Sequence, residues 1–436
     1  MNSGAELWNK AKKLIPGGGE LLSKRSEMFL PGLWPAYYKK AKGCEVWDMD
    51  GNHYYDFAQM GVGSCTLGYV DPDVSAVAID VIQNSSMCSL NSYEEVQLAE
   101  KLLELHPWAQ MARFSRTGGE ACSIAIRIAR AATGKNKVAF CGYHGWHDWY
   151  ISSNIASDSN LDEQLLPGLK PAGVPRQLQG TAVPFMYNDA ASIRSVAEEN
   201  KDDLAAIIME PQRGTAPTPE FLKAVREEAT RVGAVLIFDE VTSGFRMNIG
   251  GIHLTMGVTP DMAVFGKALG NGHPVSAIIG KFEIMDAAQN SFISSTFWTE
   301  RLGFAAGVAT LNKMIKVDNP THLIHWGKVV NGIWRQAAKE NNLKIHISGI
   351  EPLTHLDFEY ENRQAMMTLY AQIMLEKGFL LGASVYATYV YNDEVMKKFG
   401  DATGDAFAQI AKMQQQGGVE GALKGEIKHT GFKRLV

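Results

Sequence analysis

Ala234-Val-Leu-Ile-Phe-Asp239-Glu240 decides how the chain is read, together with the lysine of Val264-Phe-Gly-Lys267-Ala-Leu-Gly-Asn-Gly272, 28 positions after Asp239. Five apolar residues in succession, β-branched and aromatic types among them, closed by two carboxylates, predict a buried strand that carries acids to the edge of a sheet. Met262-Ala-Val-Phe265 predicts a second such strand, which delivers Lys267 ahead of a Gly-rich turn. An acid and a lysine at the ends of neighbouring strands suit a cofactor with a basic ring nitrogen and an aldehyde.

Outward from this pair, residues 72–320 alternate short apolar runs with helical stretches, the pattern of a mostly parallel sheet covered on both faces. Six strands are expected: Ala112–Ser115, Val138–Cys141, Leu204–Met209, Val235–Phe238, Met262–Phe265 and Ser276–Ile279. Helices are expected between them, Glu120–Thr133 and Pro219–Val232 among others, with an irregular loop at 157–180 that carries Pro167, Pro171 and Pro175. Cys44 to Phe57 reads as a hairpin about Asp50-Gly51. After Pro320 come a long helix at 322–341, a strand pair at 344–358 and helices at 361–377 and 393–415. The expected division is an N-terminal segment, 1–55, that joins the small domain, a large domain at 56–320 and a small α+β domain at 321–436.

A chain of 436 residues exceeds the size at which one core stops growing, so two lobes are expected. Its 46% hydrophobic and 20% charged content and net charge of -5 describe a soluble globular protein and give no reason to expect nucleic acid as a partner. No apolar run is long enough to span a bilayer, so no membrane partner is expected. The opening residues lack a charged region followed by an apolar one, so the cytoplasm is the expected location. Five scattered cysteines without a CxxC pair fit reduced, buried thiols better than disulfides or a zinc site, and no metal is expected.

Thr117-Gly118-Gly119-Glu120 lies between a strand and a helix, where unobstructed N–H groups and the helix dipole favour an anion. A tight strand-to-helix turn capped by Thr117 explains the same residues. Gly142-Tyr143-His144-Gly145-Trp146-His147 follows the next strand, and aromatics in such a loop can stack on a flat ring. Glu210 ends a further strand. A strand closed by Asp-Glu also serves magnesium in ATPases, but that reading requires a GxxxxGK[ST] loop, which the chain lacks.

These motifs resemble those of class III, fold-type I pyridoxal-phosphate aminotransferases, most of all the glutamate-1-semialdehyde aminomutase-like branch, from about Ile15 to Met314 and more faintly beyond. The most specific piece is Asp239-Glu-Val-Thr-Ser-Gly-Phe-Arg246 with Lys267 at the matching separation. The resemblance implies an α/β fold whose large domain has a mostly parallel seven-stranded sheet, with a smaller α+β domain built from both termini. It implies pyridoxal 5'-phosphate as cofactor: Asp239 pairs with the ring nitrogen, Val241 packs on one face, Tyr143 stacks on the other and Lys267 condenses with the aldehyde. Thr117, Gly118 and Gly119 then hold the phosphate, with Glu210 nearby. Thr296 would reach the phosphate of a second copy, which makes the active site a feature of a homodimer.

Departures from the pattern shape the functional expectation. Gly119 stands where the family bears a hydroxyl, and Trp298-Thr-Glu300-Arg301 stands where it often reads Ser-Gly-Asn-Pro. Lys24 and Arg25 are both in range of the N-terminal position that grips a substrate carboxylate, and His144, Trp146, Trp298, Glu300 and Arg301 complete the expected substrate contacts. The reaction expected is transamination from an amino acid, glutamate first, to a carbonyl acceptor. Tryptophans 34, 146, 149 and 298 suggest flat walls for a keto- or aldehydo-sugar, such as an octulosonate derivative of surface-polysaccharide biosynthesis. The alternatives are an aminomutase or other isomerase using the same cofactor, and an inactive binding protein.

Overall fold

The computed structural model describes every residue except 1, 165, 166, 213, 432–434 and 436, so two leucines of the expected 157–180 loop lie outside the described residues. In chain order the strands are β1 (Tyr38–Lys42), β2 (Glu45–Asp48) and β3 (His53–Asp56), then β4 (Met111–Ser115), β5 (Lys137–Cys141) and β6 (Ala182–Pro184). There follow β7 (Leu204–Met209), β8 (Val235–Asp239), β9 (Met262–Phe265), β10 (Ser276–Gly280), β11 (Ile345–Ser348), β12 (Leu353–Phe358), β13 (Phe379–Leu380) and β14 (Ser384–Tyr386). The chain divides into two compact units, one of residues 1–71 with 321–436 and one of residues 72–320.

The unit of residues 72–320 is built on a seven-stranded sheet in the order β4-β10-β9-β8-β7-β5-β6. β5 to β9 pair in parallel, and β10 runs antiparallel to both β9 and β4. β7, β8, β9 and β10 are buried along their whole length, which is why they read as unbroken apolar runs. Side chains still alternate between faces. Val235 and Ile237 join the cluster that includes the helix Gly118–Thr133, whereas Leu236 and Phe238 pack with the helix Pro219–Val232. β6 is the strand absent from the expected set: three residues ending in proline carry no periodicity, and only a sheet edge accepts them.

Both helices have ends written into the sequence. Gly118–Thr133 begins with a capping box at Thr117 and Glu120 and ends at Gly134 in the left-handed region, φ 70°. Pro219–Val232 begins with Thr218 as cap and proline at its first position, and ends at Gly233, φ 65°.

The other unit combines the sheet β1-β2-β3-β13, the three-stranded sheet β11-β12-β14 and the helices Asn319–Glu340, Arg363–Glu376 and Asp393–Gln415. β2 and β3 form the expected hairpin. Asp48 Oδ1 accepts the N–H groups of Asp50 and Asn52 at 2.9 and 2.8 Å, which closes the turn. Residues 56–71, assigned by sequence to the large domain, group with this unit because Phe57, Met60 and Cys65 enter its core beside Trp334, Tyr370 and Phe399. None of the described helices is long and apolar enough to cross a membrane.

Candidate active site

β4, β5, β7, β8 and β9 run in one direction, and their carboxyl ends lead into Thr117, Tyr143, Glu210, Asp239 and Lys267 respectively. That edge is where open α/β sheets bind ligands. Asp239 and Val264 are paired across β8 and β9, so Lys267 begins three residues from the position beside the acid.

Asp239 is 4% exposed and held from three directions. Its Oδ2 lies 2.8 Å from His144 Nδ1 and accepts the Cys122 thiol at 3.3 Å, and its Oδ1 accepts the Val241 N–H at 3.0 Å. His144 Nε2 faces the Cys141 carbonyl at 3.2 Å, which fixes the ring at both nitrogens. Burial first, and the Asp239 charge second, push the Cys122 thiol well above its ordinary pKa, so it keeps its proton and donates. Cys122, His144 and Asp239 have donor atoms close enough to suggest a metal site. Their separations from one carboxylate oxygen are those of hydrogen bonds, and a thiol that retains its proton is a poor ligand. His144, expected among the substrate contacts, is 1% exposed and serves instead to orient Asp239.

Lys267 occupies a left-handed conformation, φ 42°, at the start of the turn Lys267–Gly270. A non-glycine residue there stores on the order of 1–3 kcal/mol of strain. Its Nζ donates to Thr242 Oγ1 at 2.9 Å. Thr242 is 5% exposed, and its own carbonyl accepts Arg246 Nε at 2.6 Å. Thr242 escaped the sequence reading because a hydroxyl in a turn is an ordinary residue until the lysine from the next strand is seen to reach it.

The Thr117 turn is the capped strand-to-helix turn that the sequence allowed. Thr117 Oγ1 accepts the Glu120 N–H at 3.4 Å, and Glu120 Oε2 accepts those of Arg116 and Thr117 at 3.0 Å each. It is therefore a true cap. Gly118 is also required for space, since a Cβ there would stand 2.8 Å from Val241 Cγ1. The loop after β5 lies against this turn: a Cβ on Gly145 would meet Gly119 Cα at 2.8 Å, and one on Gly119 would meet the His147 ring at 3.2 Å. Tyr143 N–H donates to Glu210 Oε2 at 3.0 Å, and its ring meets Tyr150 edge-on at 6.2 Å.

Other expected contacts are placed differently. Glu300 caps the helix Arg301–Val317, accepting the Leu302 and Gly303 N–H groups at 2.8 and 3.2 Å. Arg301 is bound to Glu94, Nη2 to Oε1 at 2.6 Å, and lies over the Tyr93 ring. Their charges are taken up by the protein itself. Trp298 Nε1 donates to Glu120 Oε1 at 3.2 Å, Trp149 Nε1 to Ser123 Oγ at 3.1 Å, and Trp34 stacks on Phe29 in the other unit. Of the four tryptophans, only Trp146 is exposed, at 71%, stacked on His147. Thr296 is exposed at the start of the turn Thr296–Thr299. Lys24 and Arg25 belong to the other unit, where the Lys24 charge acts on the Cys65 thiol and the Arg25 guanidinium lies against Gly17.

Pyridoxal 5'-phosphate fits this donor set. Asp239 offers a pinned carboxylate for the ring nitrogen, Lys267 an amine, and Val241 an apolar face. Gly118 and Gly119 leave a helix N-terminus bare for the phosphate. Beside them the buried His147 Nδ1 has no hydrogen-bond partner among the described residues.

A family model for class-III aminotransferases matches residues 31–380. The 3-aminobutyryl-CoA aminotransferase of Cloacimonas acidaminovorans is 33% identical over 421 residues, 93% of this chain and 97% of that protein. The glutamate-1-semialdehyde 2,1-aminomutase of Ignicoccus hospitalis is 32% identical over 94% of this chain and 100% of its own. For the 2'-deamino-2'-hydroxyneamine transaminase of Streptomyces kanamyceticus the figures are 30%, 86% and 92%. Among solved structures, the PLP internal aldimine form of the FumI protein of Sphingopyxis sp. MTA144 superposes with a TM-score of 0.86 at 23% identity, covering 94% of this chain and 97% of that one. At that identity the likeness is one of fold, the fold-type I architecture. A cradle, a pinned aspartate and a hydroxyl-held lysine on this fold, with a family match over most of the length, have one reading: the chain belongs to the class-III aminotransferases, enzymes that use pyridoxal 5'-phosphate.

Proposed function

We propose that the protein moves an amino group from an amino acid, glutamate first among the donors, to a small carbonyl acceptor. The observation that carries this reading is Lys267 Nζ on Thr242 Oγ1 at 2.9 Å, beside a buried Asp239 pinned by His144 at 2.8 Å. Bound there, the cofactor supplies an electron-accepting ring and a carbonyl that condenses with amines. Lys267 is the residue that takes the proton from the donor's α-carbon and returns it, and Thr242 holds its amine ready. Asp239, buried and held by three donors, would pair with the ring nitrogen. Val241 would cover one ring face against water.

For the acceptor we retain a polyhydroxylated aldehyde or ketone. What supports this class is Trp146, the exposed flat surface that could receive it. A homodimer in the cytoplasm is the working assembly, with Thr296 offered to a second copy. The buried free thiols Cys44, Cys65, Cys122 and Cys141 fit a reducing compartment.

A second reading is an aminomutase, favoured by the full-length match to the I. hospitalis enzyme. The two separate in one assay. Purified protein is incubated with single amino acids and the cofactor's absorbance is followed. Conversion of the cofactor to its amine form by glutamate, reversed by an added keto- or aldehydo-sugar, is the expected result. Turnover of one amino carbonyl compound with no separate donor would replace transamination with the mutase reaction.

A further inference from the structure

The N-terminus of the helix Gly118–Thr133 spends part of its donor capacity on itself. Glu120 Oε2 takes the Arg116 and Thr117 N–H groups, and its carboxylate sets a negative charge in the first turn. A phosphate brought to the Gly118 and Gly119 amides meets that charge, so it needs a side-chain donor as well. Arg116 is one candidate, but its guanidinium is given to the carbonyls of Phe297, Trp298 and Glu300.

His147 remains. Its ring lies over Gly119, where a Cβ would stand 3.2 Å from both Cε1 and Nδ1, so it fills the space a longer side chain at 119 would take. Trp146 stacks on it with centroids 4.4 Å apart and planes 26° apart, which orients the imidazole. Nδ1 is buried without a hydrogen-bond partner among the described residues, a costly state for a polar atom unless a ligand answers it.

We propose that His147 is a phosphate-binding residue, whose imidazole N–H donates to the phosphate of the cofactor and takes the part of a side-chain hydroxyl at Gly119. The ring then does two things at once: it packs the loop after β5 onto the helix, and it adds a side-chain N–H donor to an anion site that already faces the Glu120 charge.

The test titrates apoenzyme with pyridoxal 5'-phosphate and, separately, with pyridoxal, which lacks the phosphate. Binding is followed by cofactor absorbance and protein fluorescence. His147→Phe keeps an aromatic ring over Gly119 without a donor, and His147→Gln keeps a donor. His147→Phe is expected to weaken pyridoxal 5'-phosphate binding by about tenfold or more, the size of one charge-assisted hydrogen bond, while pyridoxal binds as before. His147→Gln is expected to recover most of the loss. The proposal falls if His147→Phe binds the phosphorylated cofactor as tightly as wild type. It also falls if the Phe variant loses both compounds equally, or if Gln is no better than Phe. Wild type that binds neither compound would overturn the cofactor assignment itself, a result distinct from these.

Discussion

In the proposed reaction turnover rests on Lys267, which stands in a left-handed backbone conformation. Proton transfer by a positioned side chain contributes about a hundred- to ten-thousand-fold, so Lys267→Ala should lose at least that much turnover while the cofactor still associates. Activity and visible absorbance on one sample test this, and a variant that keeps a tenth of wild-type turnover would remove Lys267 from the chemistry. Thr242 makes a finer prediction. Thr242→Val keeps shape and removes the acceptor for Nζ, so turnover should fall by about tenfold, as for one hydrogen bond to a charged group, with KM little changed. A changed KM with normal turnover would instead make Thr242 a substrate contact. Asp239 and Lys267 could be singled out in the sequence because each follows a buried apolar run and no GxxxxGK[ST] loop supports a magnesium reading. Thr242 and Cys122 could not, because each is defined by a contact from a different element, Lys267 Nζ and Asp239 Oδ2.

At the scale of elements, the apolar runs that became β7, β8 and β9 could be read nearly to the residue, since a strand buried on both faces has no reason to carry polar side chains. The segment from Trp298 to Arg301 shows the opposite case. Charge and bulk there suggested a substrate mouth, but a helix start demands a cap whatever lies nearby, and Glu300 supplies it. Glu300→Ala should therefore cost about 1 kcal/mol of stability, the usual worth of an N-cap, and leave KM for donor and acceptor unchanged. Urea midpoints and initial rates on the same protein distinguish the two roles. A large rise in KM at unchanged stability would return Glu300 to the substrate site.

For the whole molecule, the network beneath β8 predicts an acid limit. His106 Nε2 accepts the Gly251 N–H at 2.9 Å and Nδ1 faces the Leu102 carbonyl at 2.7 Å, a pattern that only the neutral ring satisfies. Burial is the main cause that holds its pKa down to about 4, with neighbouring His253 lowering it and Glu240 opposing. Unfolded, the ring takes a proton near 6.5, its ordinary value. As pH falls from about 6.5 towards 4 the unfolded chain binds that proton first, so stability declines through this window and no further below it. The full loss is on the order of 3 kcal/mol. In His106→Gln the slope of urea midpoint against pH should flatten between those limits, and an unchanged slope would assign the acid sensitivity to other groups.

Assembly is the largest feature left to test. The unit of residues 72–320 exposes Ile79, Ile82, Leu90, Val96, Phe292 and Phe297, each more than half accessible. Phe292 and Phe297 flank exposed Thr296, the residue expected to reach a second copy's phosphate. If that surface joins two copies, losing it should weaken both association and cofactor retention. Light scattering on wild type should give twice the 47.8 kDa chain mass. The double variant Phe292→Asp, Phe297→Asp should shift towards monomer and bind pyridoxal 5'-phosphate about tenfold more weakly, the worth of one charge-assisted contact contributed by the partner's Thr296. A monomeric wild type would remove the shared site, and a monomeric variant that holds the cofactor undiminished would show that each chain completes its cradle alone.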